Sequence, residues 1–230
     1  MPLRVPVEWI FPFPVPRPLF VPDSFLTLAA AVRAEPPKTR GSRFIGEALP
    51  AASDAEIAAA LAAIRAREPQ ATHVCWAARL GAPGPSGDAA TPRTSDDGEP
   101  SGSAGLPILR EIARRGLSNT LVAVTRYYGG TKLGTGGLAR AYGEAAALAL
   151  DAAPTAETTV RTALRLQFAF ADTSAAMRVA ARPGVIVREQ TFTAAGSALV
   201  IDVPRSTAAA VAAAFVEATA GRGTVEGVEM

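Results

Sequence analysis

Three acidic residues, Asp96, Asp97 and Glu99, crowd into the stretch SDDGEPSGSAGLPIL, among glycines and prolines and just before an apolar helical pattern. Further along, VTRYYGGTKLGTGGLARAYG sets Gly129, Gly130, Gly134, Gly136 and Gly137 between a strand pattern and a helix pattern. Glycine permits positive φ and lets a ligand approach the backbone closely. Free amides at the start of the following helix attract anions, and Lys132 adds a mobile point charge. Arg126 and Arg140 flank the segment. A phosphate, a nucleotide or a nucleic-acid backbone suits such a cradle. The spacing is not that of a P-loop. The structural alternative is a tight strand-to-helix turn whose glycines serve packing alone.

The acidic stretch asks for a counter-charge, because neighbouring Asp96 and Asp97 repel each other. Attraction between opposite charges at 4 Å is about 4 kcal/mol at an effective dielectric of 20. That favours seating the pair near Arg126, Lys132 or Arg140. An oxygen-rich cluster can also hold Mg²⁺. The structural alternative is that Asp96 or Ser103 caps backbone amides.

The strand pattern THVCWAARL puts His73, Cys75 and Ala77 on one face and Val74, Trp76 and Ala78 on the other. His73 and Cys75 then stand about 7 Å apart, beyond the ~3 Å reach of a nucleophile and its base. Cys75 reads as a small buried apolar residue. His73 is a site candidate, with an internally hydrogen-bonded ring as the alternative. Tyr127 and Tyr128 could stack on bases, but strand alternation turns one of them inward. With one cysteine and one histidine, the chain can form no intrachain disulfide and falls short of the four ligands of a Cys/His metal site. No cofactor, resident metal or catalytic residue is assigned.

Positioning these groups takes a run of short elements. SFLTLAAAV and SRFIGEAL read as two strands. Ser53 and Glu56 form a capping box that opens a helix with Ile57, Leu61 and Ile64 on one stripe. A long loop runs from Gly81 to about Ser103, its first half flexible and its second half the acidic stretch; loops this long are uncommon unless functional or disordered. Leu106, Leu109 and Ile112 mark the next helix, with Pro107 in its first turn. NTLVAVT is a strand, and Leu138, Tyr142, Ala145 and Ala149 hold helical spacing after the glycines. DAAPTAETT breaks the pattern, and a domain boundary is placed there.

Beyond it, ALRLQFAF alternates Leu164, Leu166, Phe168 and Phe170, followed by helix, strand, turn, strand, helix and strand. The order β-α-β-β-α-β is the ferredoxin-like pattern. The expected organisation is a Pro-rich tail at 1–22, a first domain at 23–153 and a second at 158–230.

The 230 residues are 49% hydrophobic and 19% charged, an ordinary globular mix. The net charge of +2 comes from 23 basic and 21 acidic residues, too small an excess to imply nucleic acid by itself. Up to residue 153 there are 16 basic and 14 acidic residues, and seven of each after it. The N-terminal stretch carries Pro2, Pro6, Pro12, Pro14, Pro16, Pro18 and Pro22, so it has neither the uninterrupted apolar run of a signal peptide nor the length of a membrane span. No membrane association is expected, and lone Cys75 fits a reduced, cytoplasmic setting.

THVCWAARLG, SDDGEPSGSAGLPIL and VTRYYGGTKLGTGGLARAYG, in this order between residues 42 and 150, together resemble the signature of the YigZ/IMPACT family. The match by position covers His73, Cys75, Asp96, Asp97, Gly98, Glu99, Arg126, Tyr127, Gly129, Gly130, Lys132, Gly134, Gly136, Gly137, Arg140 and Tyr142. The sequence departs from the family pattern at Ser103, Ala78 and Thr131. The resemblance implies an α+β chain: a ribosomal-protein-like βαβ domain, as in domain IV of elongation factor G, followed by a ferredoxin-like domain. It implies a regulator of translation that binds RNA, the ribosome or a protein partner. The alternatives are an Mg²⁺-dependent enzyme acting on a phosphorylated small molecule, and a protein–protein regulator with no anion site.

Overall fold

The computed structural model describes residues 23–82, 90–194 and 196–228. The Pro-rich tail, and most of the loop half read as flexible (83–89), lie outside the described residues. The N-terminal part contains β1 (Ser24–Leu28), β2 (Val32–Ala34), β3 (Arg43–Pro50), α1 (Asp54–Arg67), β4 (His73–Leu80), β5 (Thr91–Ser95), α2 (Gly105–Arg114), β6 (Thr120–Tyr127) and α3 (Gly134–Ala152). Five of its strands form an antiparallel sheet in the order β2-β3-β6-β4-β5.

Side-chain alternation divides this sheet into two apolar faces. Val74, Ala78, Leu121 and Ala123 pack with Ile57, Leu61 and Ile64 of α1. Phe44, Ala48, Cys75, Ala77, Val122 and Val124 pack with α2 and α3 on the other side. The capping box forms as expected: the Glu56 amide donates to Ser53 Oγ, and the Glu56 carboxylate accepts from the Ala52 amide. On the opposite face, α3 lies directly on β3. A Cβ at Gly46 would stand 2.2 Å from the Ala145 carbonyl oxygen, so only glycine permits that approach.

Several elements differ from their sequence patterns. The strand read over SFLTLAAAV ends at Leu28 as β1, which pairs antiparallel with β7 (Thr155–Thr159) outside the large sheet, and only its last residue, Val32, belongs to β2. The stretch that reads as a break therefore supplies a strand. Its threonines favour extended backbone, but it has no apolar face to announce it. Thr91–Ser95, read as loop, pairs on the outer edge of β4; the edge tolerates Pro92, which cannot donate to a ladder. In α2 the buried stripe is Gly105, Ile108 and Ile112, while Leu106 is 45% exposed.

The C-terminal part holds β8 (Arg161–Phe168), α4 (Thr173–Ala180), β9 (Ile186–Thr193), β10 (Gly196–Pro204), α5 (Ala208–Ala218) and β11 (Thr224–Val228). Its strands pair antiparallel in the order β11-β8-β10-β9. Leu164, Leu166, Phe168, Leu199, Ile201 and Val203 meet Val179 of α4 and Val211 and Phe215 of α5. Phe170 does not join them; the chain turns into a 3₁₀ helix at Phe170–Asp172 and leaves that ring exposed. The edge strand β9 is exposed along its length and its register shifts opposite Val200 and Ile201. An irregular edge of this kind resists further strand pairing. The architecture is α+β. Among the described residues no helix is long and apolar enough to cross a membrane.

Candidate functional site

The acidic loop is held down by its own first two carboxylates. Asp96 Oδ1 accepts from the Ala104 and Gly105 amides at 2.9 and 2.8 Å, and Oδ2 accepts from the Gly102 amide at 2.8 Å. Asp96 thus caps α2, whose own N-cap residue, Ala104, offers no side-chain acceptor. Burial raises the Asp96 pKa, but the three amides outweigh it and hold the carboxyl below its ordinary value.

Asp97 takes a left-handed backbone, φ 43°, which turns its side chain back to β4. Its Oδ2 accepts from the Val74 amide at 2.7 Å and its Oδ1 from Arg65 at 3.2 Å. Its carbonyl lies 2.7 Å from His73 Nδ1, and we assign the ring proton to that nitrogen. The Cys75 thiol donates to the Asp96 carbonyl. Burial pushes this thiol up to about 12; a Tyr142 hydrogen bond lowers it only in part, and the charges of Glu99, Asp97 and Asp96 add to the rise, so a thiolate is disfavoured.

Glu99 behaves differently. Its side chain is 4% exposed and points under the loop toward β6 and α3. Oε1 accepts from Arg126 Nη1 at 2.5 Å and from the Tyr142 hydroxyl at 2.8 Å, and His73 Nε2 stands 3.9 Å away. Alternation along β6 puts Arg126 on the same face as Val122 and Val124. Its guanidinium lies 5.5 Å from both the Phe44 and Tyr128 rings, and its Nη2 reaches Ser42 Oγ at 3.4 Å. The buried Arg126 Nε has no hydrogen-bond partner among the described residues. Tyr142 is fully buried edge-on to Phe44; burial first, then Cys75 and Glu99, raise its hydroxyl far above the ordinary phenol value.

Glu99, Arg126, Tyr128, Lys132, Gly134 and Thr135 share a cavity of about 350 Å³ with an apolar wall from Leu133 and Leu138. The acidic loop and the Gly-rich turn therefore do meet, through Glu99 and Pro100, but of the three carboxylates only Glu99 takes part. Asp96 lies against backbone amides, and Asp97 finds Arg65 as its counter-charge rather than Arg126, Lys132 or Arg140. Arg140 projects from α3 into neighbouring grooves beside Arg40, Glu144 and Arg110. Tyr127 faces α1, where its hydroxyl donates to Glu68 at 2.5 Å, and Tyr128 is the exposed ring of the pair. No local pattern marks Glu68 or Ser42 as partners of these tyrosine and arginine side chains. Only the folded sheet brings them together.

The glycines separate by role. A Cβ at Gly129 would come 1.9 Å from the Gly41 carbonyl carbon, so this residue serves backbone packing. Gly130 and Gly134 have φ of +85° and +70°. Gly137 sits close to Leu133. Gly136, in the first turn of α3, has open space around it. That first turn has no side-chain cap and no acidic residue, so its free amides remain available to an anion. Among the described residues no three of His, Cys, Asp and Glu are grouped to hold a metal.

The family model described as the Impact N-terminal domain matches residues 40–150. An IMPACT family member of Haemophilus influenzae is 33% identical over 169 residues, 74% of this chain and 80% of that protein. The chain belongs to the IMPACT family. A second relative, the IMPACT family member in pol 5′ region of Thermus thermophilus, is 52% identical over 115 residues. That match takes in 50% of this chain and spans 58% of the relative's length. A crystal structure of a hypothetical protein superimposes with a TM-score of 0.69 at 30% identity, covering 91% of this chain and 99% of that one. All the cavity-lining residues of this IMPACT chain fall inside the matched 40–150 stretch.

Proposed function

We propose that this chain is a non-catalytic, translation-associated protein of the cytoplasm that binds RNA, the ribosome or another translation partner through phosphate seated in the cavity between the acidic loop and the Gly-rich turn. One observation carries this reading: the uncapped start of α3 opens beside Lys132 and next to Arg126. An anion there meets oriented amides and a mobile cation together. Glu99 does not repel it strongly, because Arg126 already neutralises that carboxylate. The carboxylates an Mg²⁺-dependent reaction would use are engaged otherwise: Asp96 and Asp97 by backbone amides and Arg65, Glu99 Oε1 by Arg126 and Tyr142, and this favours binding over catalysis. In this reading residues 23–153 are the ribosomal-protein-like unit and residues 158–230 the ferredoxin-like one. The second unit adds an open sheet face with a groove of about 410 Å³ beside Arg165, Gln167 and Arg222.

The test is the salt dependence of RNA binding. Each phosphate neutralised adds about 0.7–0.9 to the slope of log K against log salt. Lys132→Ala should lower that slope by about this amount and weaken binding, while Arg140→Ala, in the neighbouring grooves, has the smaller effect. An unchanged slope for Lys132→Ala would refute the reading.

Gly136 provides a second test. It is exposed within a helix and a Cβ there meets nothing, so Gly136→Ala should raise stability by about 0.5–1 kcal/mol. The new methyl leans toward the helix N-terminus, where the anion would sit, so binding should weaken as the melting temperature rises. A variant that gains stability and binds as before would remove Gly136 from the site.

A further inference from the structure

We infer that the ligand at this cavity is a nucleic acid in single-stranded form, with Tyr128 as the platform on which one base stacks. The inference rests on the phosphate reading above and names its substrate class. Tyr128 immediately follows β6 and is 48% exposed at the cavity rim. Its position is fixed on two sides. Its amide donates to Thr72 Oγ1 at 3.1 Å, and the Arg126 guanidinium lies over its ring. A ring backed by a cation and otherwise open offers a stacking surface at little entropic cost. The helix start and Lys132 lie along the same cavity, so a base on Tyr128 and a phosphate at α3 can belong to one strand. Arg126 is 5% exposed, lines this cavity and is itself anchored by Glu99, so the cation behind the ring is fixed in place. A duplex cannot satisfy this arrangement, because its base faces are covered by their neighbours, whereas splayed single strands stack on aromatic side chains.

The experiment is fluorescence anisotropy on the full chain with a labelled short oligouridylate, the same length of blunt RNA duplex, and uridine monophosphate as competitor. Wild type should prefer the single strand, and the mononucleotide should compete weakly. Tyr128→Ala should weaken single-strand binding about five- to 150-fold without altering the salt slope, and Tyr128→Phe should retain wild-type affinity. Thermal melts of both variants check that the fold is kept. Tyr128→Ala binding as tightly as wild type, or a duplex bound as tightly as the single strand, would overturn the inference. So would uridine monophosphate competing as well as unlabelled oligouridylate, which would mark a free nucleotide as the ligand. If Tyr128→Ala is silent while Lys132→Ala still flattens the salt slope, stacking fails and the phosphate reading stands. If both are silent, both fail.

Discussion

Glu99→Ala is expected to destabilise the fold by about 3–5 kcal/mol, because it leaves the buried Arg126 cation without its partner. Glu99 and Arg126 have side chains 4% and 6% exposed, so the remaining cation is much less well solvated than one on an open surface. The Tyr142 hydroxyl, fully buried on α3, loses its acceptor in the same step. The loss should appear as a lower urea midpoint at constant slope. Two controls separate an uncompensated charge from lost packing. Glu99→Gln keeps an acceptor for Tyr142 and should cost less. The double variant Glu99→Leu/Arg126→Met removes both charges and should be more stable than either single replacement, as apolar substitutes for buried ion pairs often are. A Glu99→Ala protein within about 1 kcal/mol of wild type would show that the pair carries no such weight.

Asp96→Ala should cost about 3 kcal/mol, since three amides lose a charged acceptor at once. Two of them belong to Ala104 and Gly105 at the start of α2, so that helix should fray first under hydrogen exchange. The pH dependence has a definite sign. Burial raises the folded-state pKa of Asp96, but the amides of Gly102, Gly105 and Ala104 bring it below the ordinary aspartate value. A carboxyl depressed in the folded state contributes its full stability above its unfolded pKa, near 3.9. That contribution fades as pH falls from about 4 toward the folded value. Wild type should therefore lose stability on acidification through this range, and Asp96→Asn, less stable at neutral pH, should lose less. Parallel curves for the two proteins would contradict the assignment.

Local patterns reach a long way into this chain. Ser53 and Glu56 announce the start of α1, and Ile57, Leu61 and Ile64 announce its buried face, because a capping box and a 3.6-residue period are set by neighbours in sequence. Strand alternation alone puts Cys75 with Ala77 on one face and Val74 with Ala78 on the other; only the fold shows that the first face meets α2 and α3 and the second α1. The capping alternative for Asp96 is likewise legible in SDDGEPSGSAG, although not that the helix it caps begins at Gly105. The short polar strands Thr91–Ser95 and Thr155–Thr159 escape such reading because neither carries an apolar face; each is a strand only because a partner edge satisfies its amides.

What the amino-acid sequence determined by itself was the family motif, the helix and strand faces, and the presence of an acidic loop and a Gly-rich turn. Tertiary structure decided which charges meet. A left-handed Asp97 sends that carboxylate back to Val74 and Arg65, while Glu99 reaches under the loop to Arg126 and Tyr142. The end of β6 turns Tyr127 toward Glu68 and leaves Tyr128 at the cavity. These outcomes depend on desolvation and on distances between segments remote along the chain, and neither quantity is written in local spacing.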